Sequence, residues 1–148
     1  MEDLSLHILD IAENSIAAGA RNITIRITED ARRDRLVIVI MDDGRGMDEE
    51  SARKALDPFF TTKTVRRIGL GLPLLQDAAR TAGGGVNIRS RPGRGTRIKA
   101  TFGLGSIDRQ PLGDIGATLK TLMVGHPEIR IRFRHRRDGE DFIFDTNQ

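Results

Sequence analysis

Leu36–Met41 is a continuous apolar run of six residues, and it limits the fold more than any other segment. Its β-branched side chains and short length predict a central strand that is covered on both faces of a sheet. Just before it, Ile23, Ile25 and Ile27 alternate with polar residues, which predicts a second strand with one buried face. We therefore expect a sheet at the centre of the protein.

Helical patterns surround this pair of strands. Apolar residues recur at three- and four-residue spacing across Ser5–Ala18, which predicts an amphipathic helix. Glu49–Leu56 predicts a short helix that ends before Pro58, because the residue before a proline avoids helical backbone angles. Phe59–Ile68 is predicted to be a loop, and Leu72–Ala82 a helix that glycines bracket on both sides.

The rest of the chain predicts a β-hairpin and a C-terminal extension. Val86–Ser90 and Arg97–Phe102 form the hairpin around a glycine-containing turn. Beyond it the pattern predicts a further helix and two strands. Residues 104–148 are too few for a separate core, so we expect them to pack on a domain of residues 1–103 as one structural unit.

Composition excludes several classes of protein. The chain of 148 residues has no cysteine, which rules out disulfides, thiolate zinc sites and a cysteine nucleophile, and suits a reducing cytoplasm. No apolar run approaches the roughly 20 residues of a membrane helix, so we expect a soluble, cytoplasmic protein. The net charge of +3 is too small to argue for nucleic acid by itself.

Three polar residues form a narrow stripe on the first predicted helix. His7, Asp10 and Asn14 lie within about 60° of one another at the helical angle of about 100° per residue. The stripe is either a solvated helix flank or a magnesium site, since Mg²⁺ prefers oxygen ligands. For His7 we expect an accessory role or a partly buried, hydrogen-bonded position rather than a phosphosite.

Two glycine-containing segments are further candidates for a ligand site. Asp42-Asp43-Gly44-Arg45-Gly46-Met47 follows the apolar strand, and it is either an Asp-Gly turn or the acceptor for an exocyclic amine. Ile68-Gly69-Leu70-Gly71-Leu72 opens a predicted helix, and it either permits close packing or exposes backbone N–H groups to a phosphate. Lys63, Arg66 and Arg67 nearby favour an anion.

Taken in order, these segments resemble the GHKL superfamily: the ATP-binding domains of DNA gyrase, the large heat-shock chaperone, histidine kinases and the mismatch-repair protein MutL. The resemblance spans about residues 4–102. His7–Ser15 with Ala18–Ala20 is similar to the N box, with MutL-like Glu-Asn-Ser and Ala-Gly-Ala elements, and Asp42–Met47 to the first glycine box. Asp57–Lys63 and Gly69–Leu72 resemble the segments around the ATP lid of histidine kinases, and Gly93–Thr96 completes the set.

The resemblance implies a fold, two cofactors and a set of site residues. The fold is an α+β two-layer sandwich of the Bergerat type, with a mixed, mostly antiparallel sheet and helices on one face, and the cofactors are ATP and Mg²⁺. Asn14 would hold Mg²⁺, Asp42 would bind the adenine amino group, and Lys63 would contact phosphate. Asp10 stands where ATP-hydrolysing members carry a catalytic Glu; Glu13 lies about 100° around the helix from Asn14, so we prefer Asp10 as the base. The other ATP-binding candidates are Gly44, Gly46, Met47, Gly69, Leu70, Gly71, Leu72 and Thr96.

The function that the resemblance implies is a stand-alone, histidine-kinase-like module that binds Mg-ATP under a lid at Phe59–Ile68. It would pass phosphate, or an ATP-driven conformational change, to a partner protein, and act as a kinase or a slow ATPase. Two alternatives stay open: a MutL-like ATP-gated switch that controls assembly, and a nucleotide sensor without catalysis. Nucleic acid is a less favoured partner, and no membrane partner is expected.

Arginines alternate along one predicted strand of the extension. Arg130, Arg132, Arg134 and Arg136 place four guanidinium groups on one face, and mainly apolar residues lie on the other. This pattern predicts either a charged face that protects an edge strand or a surface for an acidic partner or nucleic acid.

Overall fold

The computed structural model of the protein describes residues 3–57 and 66–147, without the side chains of residues 66–70. Its elements, in chain order, are α1 (Leu4–Ala17), β1 (Asn22–Asp30), β2 (Arg35–Asp42), α2 (Glu49–Lys54), α3 (Arg66–Thr81), β3 (Gly85–Arg91), β4 (Gly95–Gly103), α4 (Ile115–Gly125), β5 (Arg130–Arg137) and β6 (Glu140–Asp145). Among these described elements, no helix is both long and apolar enough to cross a membrane.

The described strands form one mixed sheet in the order β3-β4-β2-β1-β5-β6. Neighbouring strands are antiparallel except β1 and β5, which run parallel. The helices lie on one face of the sheet: α1 packs against β2, α2 against β3, α3 against β3 and β4, and α4 against α1. This two-layer α+β arrangement confirms the predicted fold class.

The helix-facing side chains of the sheet form the core. On β1, Ile23, Ile25 and Ile27 are fully buried, as their alternation with polar residues predicts. Phe102 of β4 and Ile11 of α1 belong to the same apolar cluster. Burial of each such side chain contributes about 1.5–3 kcal/mol, so this cluster holds the helices against the sheet.

The prediction that β2 is covered on both faces is wrong. Its helix-facing side chains are buried, but Val37 and Met41 are half-exposed on the other face. On that face Val39, whose Cα partners are Arg26 and Lys99, is 9% exposed. The described helices all pack on the opposite face, so part of the apolar run is open to solvent.

Helix α3 begins earlier than its sequence pattern predicts. It begins at Arg66 rather than Leu72, so Gly69 and Gly71 lie inside the helix and not ahead of it. Pro73 then lies in the helix interior, where it has no N–H to donate to the carbonyl four residues earlier. The unpaired N–H groups of the helix start therefore belong to residues 66–69 and not to residue 71.

Helix α2 begins as predicted and ends sooner. Asp48 is its N-cap and accepts a hydrogen bond from Ser51 N at 2.7 Å. The helix ends at Lys54 rather than Leu56. Residues 58–65, which include most of the predicted lid, lie outside the described residues, and residues 66–68 are helical.

The C-terminal extension joins the sheet and packs against α1. β5 lies between β1 and β6, so it is paired on both sides. The segment before α4 caps the start of α1, where Leu4 N and Ser5 N donate to the carbonyls of Pro111 and Leu112, each at 2.8 Å. Because β5 is an internal strand, the prediction that its arginines protect a sheet edge is wrong.

Candidate functional site

Helix α1 places two of the predicted ligands, Asp10 and Asn14, on one side; we call this pair the α1 stripe. Asp10 is exposed and Asn14 is half-buried, whereas Ile11 between them points into the core. Gly71 of α3 packs against the stripe, since a Cβ at position 71 would lie 3.3 Å from Asp10 Cβ and 3.8 Å from Asn14 Nδ2. The fold therefore brings the N-box residues and the second glycine segment together.

Asp42 ends β2 with its carboxylate held by two donors. Ser15 Oγ of α1 donates to Asp42 Oδ2 at 2.6 Å, and Gly44 N donates to Asp42 Oδ1 at 2.8 Å. A carboxylate has about four acceptor positions, so each oxygen keeps capacity for one more donor. The half-buried Asp42 is thus an oriented acceptor that can bind an exocyclic amine.

The adjacent Asp43 has a structural role instead. Its carboxylate accepts hydrogen bonds from Arg21 N at 2.8 Å, Asn22 N at 2.9 Å and Asn22 Nδ2 at 2.8 Å. Partial desolvation raises the pKa of Asp43, but these hydrogen bonds outweigh it and hold the pKa below its ordinary value. Asp43 therefore fixes the start of β1, and Asp42 is the carboxylate available to a ligand.

Asp42 belongs to a polar cross-strand row on the helix-facing side of the sheet. Its Cα partner on β4 is Thr96, and the partner of Thr96 on β3 is Ser90. Ser90 Oγ lies 2.8 Å from Thr96 Oγ1, accepts from Met47 N at 2.8 Å and donates to Gly95 O at 3.0 Å. This network ties the first glycine segment to the β3–β4 hairpin and places Thr96 beside Asp42.

Two glycines in this network are required by the backbone geometry. Gly46 has φ +71° and Gly95 has φ +98°, in the left-handed region that favours glycine. A Cβ on Gly46 would overlap the carbonyl of Arg91, and a Cβ on Gly95 would overlap the carbonyl of Asp42. Any side chain at either position would separate the glycine segment from the hairpin.

The remaining predicted residues are Leu72, Gly69, Leu70 and Lys63. Leu72 is only 5% exposed, and its side chain packs in the core. Gly69 and Leu70 contribute backbone to α3. Lys63 lies outside the described residues.

Two other polar residues of α1 bind the C-terminal extension rather than join the α1 stripe. The buried His7 lies with its Nε2 3.0 Å from Gln110 Oε1, which matches the expected hydrogen-bonded position. Glu13 Oε1 accepts a hydrogen bond from His126 Nε2 of the α4 C-cap at 2.9 Å. Glu13 is thus directed at α4.

The donor chemistry of the α1 stripe fits magnesium. Its carboxylate and amide oxygens are hard ligands, and Mg²⁺ is typically bound by one or two carboxylates together with water and substrate phosphates. Within residues 3–57 and 66–147, no group of three or more His, Cys, Asp or Glu could hold a metal ion. The stripe would therefore hold Mg²⁺ only together with a phosphate-bearing ligand.

A cleft of about 1100 Å³ opens between α2 and the β3–β4 hairpin. Asp42, Ser90 and Thr96 line it, and Ala52 and Ile88 add apolar surface. Small-molecule sites of about 300–1,000 Å³ commonly combine an apolar lining with a few polar groups. The cleft is therefore large enough for a heteroaromatic base next to Asp42.

Two hydroxyl groups of the site, Ser15 and Ser90, were not among the predicted binding residues. Ser15 is 4% exposed on the apolar side of α1, and Ser90 follows Val86 and Ile88 on the helix-facing side of β3. The available signal is a serine at a position where the periodicity calls for an apolar residue. A buried hydroxyl there needs a hydrogen-bond partner, and both serines find theirs in the site.

Comparison with known proteins identifies the family. A family model described as "Histidine kinase-, DNA gyrase B-, and HSP90-like ATPase" matches residues 2–106. The chain belongs to this family. Membership in this ATPase family and similarity to histidine kinases make the chain an ATP-binding, kinase-like module.

The relatives of this ATPase domain include several sensor kinases. Sensor protein kinase FleS of Pseudomonas aeruginosa is 40% identical over 108 residues, which cover 73% of this chain and 26% of FleS. Sensor histidine kinase ZraS of Salmonella typhimurium is 32% identical over 89 residues, which cover 60% of this chain and 19% of ZraS. The chain thus spans at most about a quarter of the length of these relatives.

A solved structure resembles the ATPase domain in fold. It is the N-terminal domain of a DNA repair protein, with a TM-score of 0.67 and 14% sequence identity. The match covers 97% of this chain and 52% of that chain, so it includes the C-terminal extension. At this identity the likeness establishes the fold alone.

Proposed function

We propose that the chain is a stand-alone, histidine-kinase-like module that binds Mg-ATP and passes phosphate, or an ATP-driven conformational change, to a partner protein. The contact of the α1 stripe with Gly71 carries this proposal, because it joins the proposed magnesium ligand to the second glycine segment. In this proposal residues 1–103 form the nucleotide-binding unit, and residues 104–148 are an extension packed on it.

The adenine end of the nucleotide would lie at Asp42. Ser15 and Gly44 fix the orientation of this carboxylate, so it is preorganised to accept the exocyclic amine. Thr96 would add a hydroxyl beside the ring. Gly44, Gly46 and Met47 would flank the base through their backbone, since glycine allows close approach.

The phosphate end would lie at the α1 stripe and the start of α3. Asn14 would hold Mg²⁺, which when bound neutralises charge on the transferred phosphoryl group. Gly71 allows α3 to pack closely against Asp10 and Asn14, and the N–H groups of residues 66–69 with the positive end of the helix favour an anion. Lys63 is the proposed additional phosphate contact.

The reaction would depend on the nucleophile. In transfer, an acceptor atom of the partner bonds to the γ-phosphorus while the bond to the β,γ-bridging oxygen breaks, and ADP leaves with that electron pair. In hydrolysis, water is the nucleophile and the carboxylate of Asp10 accepts its proton. Glu13 is less suited to this role because it is hydrogen-bonded to His126.

A second candidate function is an ATP-gated switch, in which occupancy alone alters the interface with a partner. Helix α1 carries the stripe, and it also contacts the extension through Glu13 and His126. A shift of α1 on nucleotide binding would therefore reach α4. The MutL-like Glu-Asn-Ser element favours this alternative. A nucleotide sensor without catalysis would be a switch of the same kind that binds ATP and does not hydrolyse it.

Incubation of the purified chain with γ-labelled Mg-ATP tests the proposal. Free phosphate and protein-bound label are followed in parallel, with Asn14→Ala as the control. Label retained on protein supports kinase chemistry, and phosphate release that the variant loses supports an ATPase or switch. Mg-ATP binding that survives both Asp42→Ala and Asn14→Ala unchanged would overturn the site assignment.

A further inference from the structure

The face of the sheet opposite the described helices is strongly basic, and we call it the open face. Cross-strand register places ten basic side chains on it: Arg26 of β1, Arg35 of β2, Arg89 and Arg91 of β3, Arg97 and Lys99 of β4, and Arg130, Arg132, Arg134 and Arg136 of β5. The acidic side chains on the same face are Asp30, Asp141 and Asp145. Since the net charge of the whole chain is only +3, positive charge is concentrated here.

Two arginines of β5 illustrate how the open face binds carboxylates. Arg130 Nε and Nη2 donate to the two carboxylate oxygens of Asp145 at 3.1 and 2.8 Å. Arg134 Nε and Nη2 donate to those of Asp141 at 3.0 and 2.6 Å. These are the fork-to-fork pairs in which a guanidinium recognises a carboxylate with defined geometry.

The other basic side chains of the open face make no ion pair with any described residue. Arg132 and Arg136 alternate with the two paired arginines and are exposed, as are Arg89 and Lys99 on the far side of the sheet. Protection of an edge does not explain Arg132, Arg136 or Lys99, because β5 and β4 are internal strands. The direct hydrogen bonds from Arg130 and Arg134 lower the pKa of Asp145 and of Asp141, and Arg132 and Arg136 help to lower it only by their charge.

The pattern of the open face fits a protein partner better than nucleic acid. β2 crosses its middle with Val37, Val39 and Met41, so an apolar strip separates two basic clusters. Protein interfaces have such an apolar centre with a polar rim, and they are enriched in arginine. The open-face positions of the described strands carry no aromatic side chain on which bases could stack.

Several of the basic side chains of the open face also line a cleft. A cleft of about 880 Å³ lies at the β3–β4 side, and Arg35, Arg89, Arg97 and Lys99 line it. Apart from Asp34, its charged lining residues are basic. An acidic side chain entering this cleft would meet several guanidinium groups at once.

We propose that the open face is a docking surface for an acidic segment of a partner protein. Its Asp or Glu carboxylates pair with Arg132 and Arg136 on one side and with Arg35 and Lys99 at the β3–β4 cleft on the other, while its apolar side chains lie on the β2 strip. The proposal does not depend on the reaction at the nucleotide site, since Arg35, Lys99, Arg132 and Arg136 do not line the cleft beside Asp42.

Fluorescence anisotropy with defined probes tests this proposal. The probes are a labelled peptide of alternating Asp and Val residues, and single-stranded and duplex DNA oligonucleotides with the same label, at about 0.15 M ionic strength. The protein variants are Arg132→Gln with Arg136→Gln, and Arg35→Gln with Lys99→Gln. The matched control is Arg80→Gln with Lys120→Gln, which removes the same charge from exposed positions on the helix side.

We expect each open-face variant to weaken peptide binding more than about tenfold, and the control to leave it within about twofold. Unchanged Mg-ATP affinity and thermal midpoint establish that the variants are folded. Equal weakening by the control would overturn the proposal, because net charge alone would then explain binding. So would tighter binding of either DNA probe than of the peptide, or no binding of the peptide.

Discussion

Ser15 of α1 and Asp42 of β2 are joined by a 2.6 Å hydrogen bond from the serine hydroxyl to the carboxylate. The next polar residue back along the same helix is Asn14, which faces Gly71. One helix therefore supports both the proposed adenine acceptor and the proposed magnesium ligand. In the proposed site, the separation of the two ends of the nucleotide would therefore be set by α1 and not by a loop.

Asp42→Ala should abolish measurable binding of adenine nucleotides. An amine left without its acceptor costs about 1–3 kcal/mol, and the variant also removes the partner of Ser15 and Gly44. Calorimetric titration with Mg-ATP measures the loss. Asp43→Ala is the matched control: it should lower the thermal midpoint, because three hydrogen bonds to the start of β1 are lost, and keep nucleotide affinity. The reverse pattern in the two variants would contradict the assignment.

Asn14→Ala should weaken the magnesium-dependent part of ATP binding. In the wild-type chain we expect Mg²⁺ to tighten ATP binding, since the amide oxygen and the phosphates share the ion. The variant should lose about tenfold or more of that gain and bind metal-free ATP as the wild type does. Titrations with Mg²⁺ and with a chelator measure both quantities. An unchanged response to Mg²⁺ would remove Asn14 from the metal site.

Local patterns in the sequence predicted elements whose type and bounds follow from the spacing of their own apolar residues. The alternation of Ile23, Ile25 and Ile27 gave β1 its buried face, and the helical spacing before it gave α1 nearly to the residue. The start of α3 was placed too late because glycine and proline have low intrinsic helix propensity, and packing of the helix against α1 and the sheet overrides it.

Features that depend on distant residues could not be predicted from local pattern. Asp42 and Asp43 are adjacent in sequence, and only their hydrogen-bond partners, Ser15 and Asn22, distinguish the proposed ligand-binding carboxylate from the structural one. The internal position of β5 depends on its parallel pairing with β1, which no local signal specifies. The open face of β2 follows from the layer arrangement, since a run of apolar residues does not indicate how many layers cover it.

Gly71→Ala should separate stability from nucleotide binding. Alanine favours a helix over glycine by about 1 kcal/mol, but the new Cβ would lie 3.3 Å from Asp10 Cβ. We therefore expect a nearly unchanged thermal midpoint and weaker Mg-ATP binding. Gly116→Ala in α4 is the control, because its nearest neighbour lies at 3.5 Å and far from the site. It should raise the midpoint slightly and leave affinity alone; equal affinity in both variants would contradict the role of Gly71.

Asp10→Asn should stop ATP hydrolysis while Glu13→Gln preserves it. The amide cannot accept a proton from water, and loss of a general base typically costs about 10²–10⁴ in rate. Glu13 is held by His126, so its change should lower the thermal midpoint and leave turnover near the wild-type value. Phosphate release at saturating Mg-ATP measures both variants. If Glu13→Gln were the inactive one, the base would have to be reassigned.

The ion pairs between β5 and β6 should make the free energy of unfolding depend on pH in the acid range. The hydrogen bond from Arg130 lowers the pKa of Asp145 to about 2 from its ordinary value of 3.8. A carboxylate whose folded pKa is depressed stabilises the fold above its unfolded pKa and loses that contribution as pH falls through the folded pKa. The Asp145→Asn variant should therefore melt at a lower temperature than the wild type above about pH 4, and this gap in thermal midpoint should close between about pH 4 and pH 2.

Thermal melts across this pH range measure the gap, with the exposed Asp108→Asn as the control. A gap that stayed constant down to about pH 2 would mean that the charge of Asp145 contributes nothing to the pairing of β5 with β6.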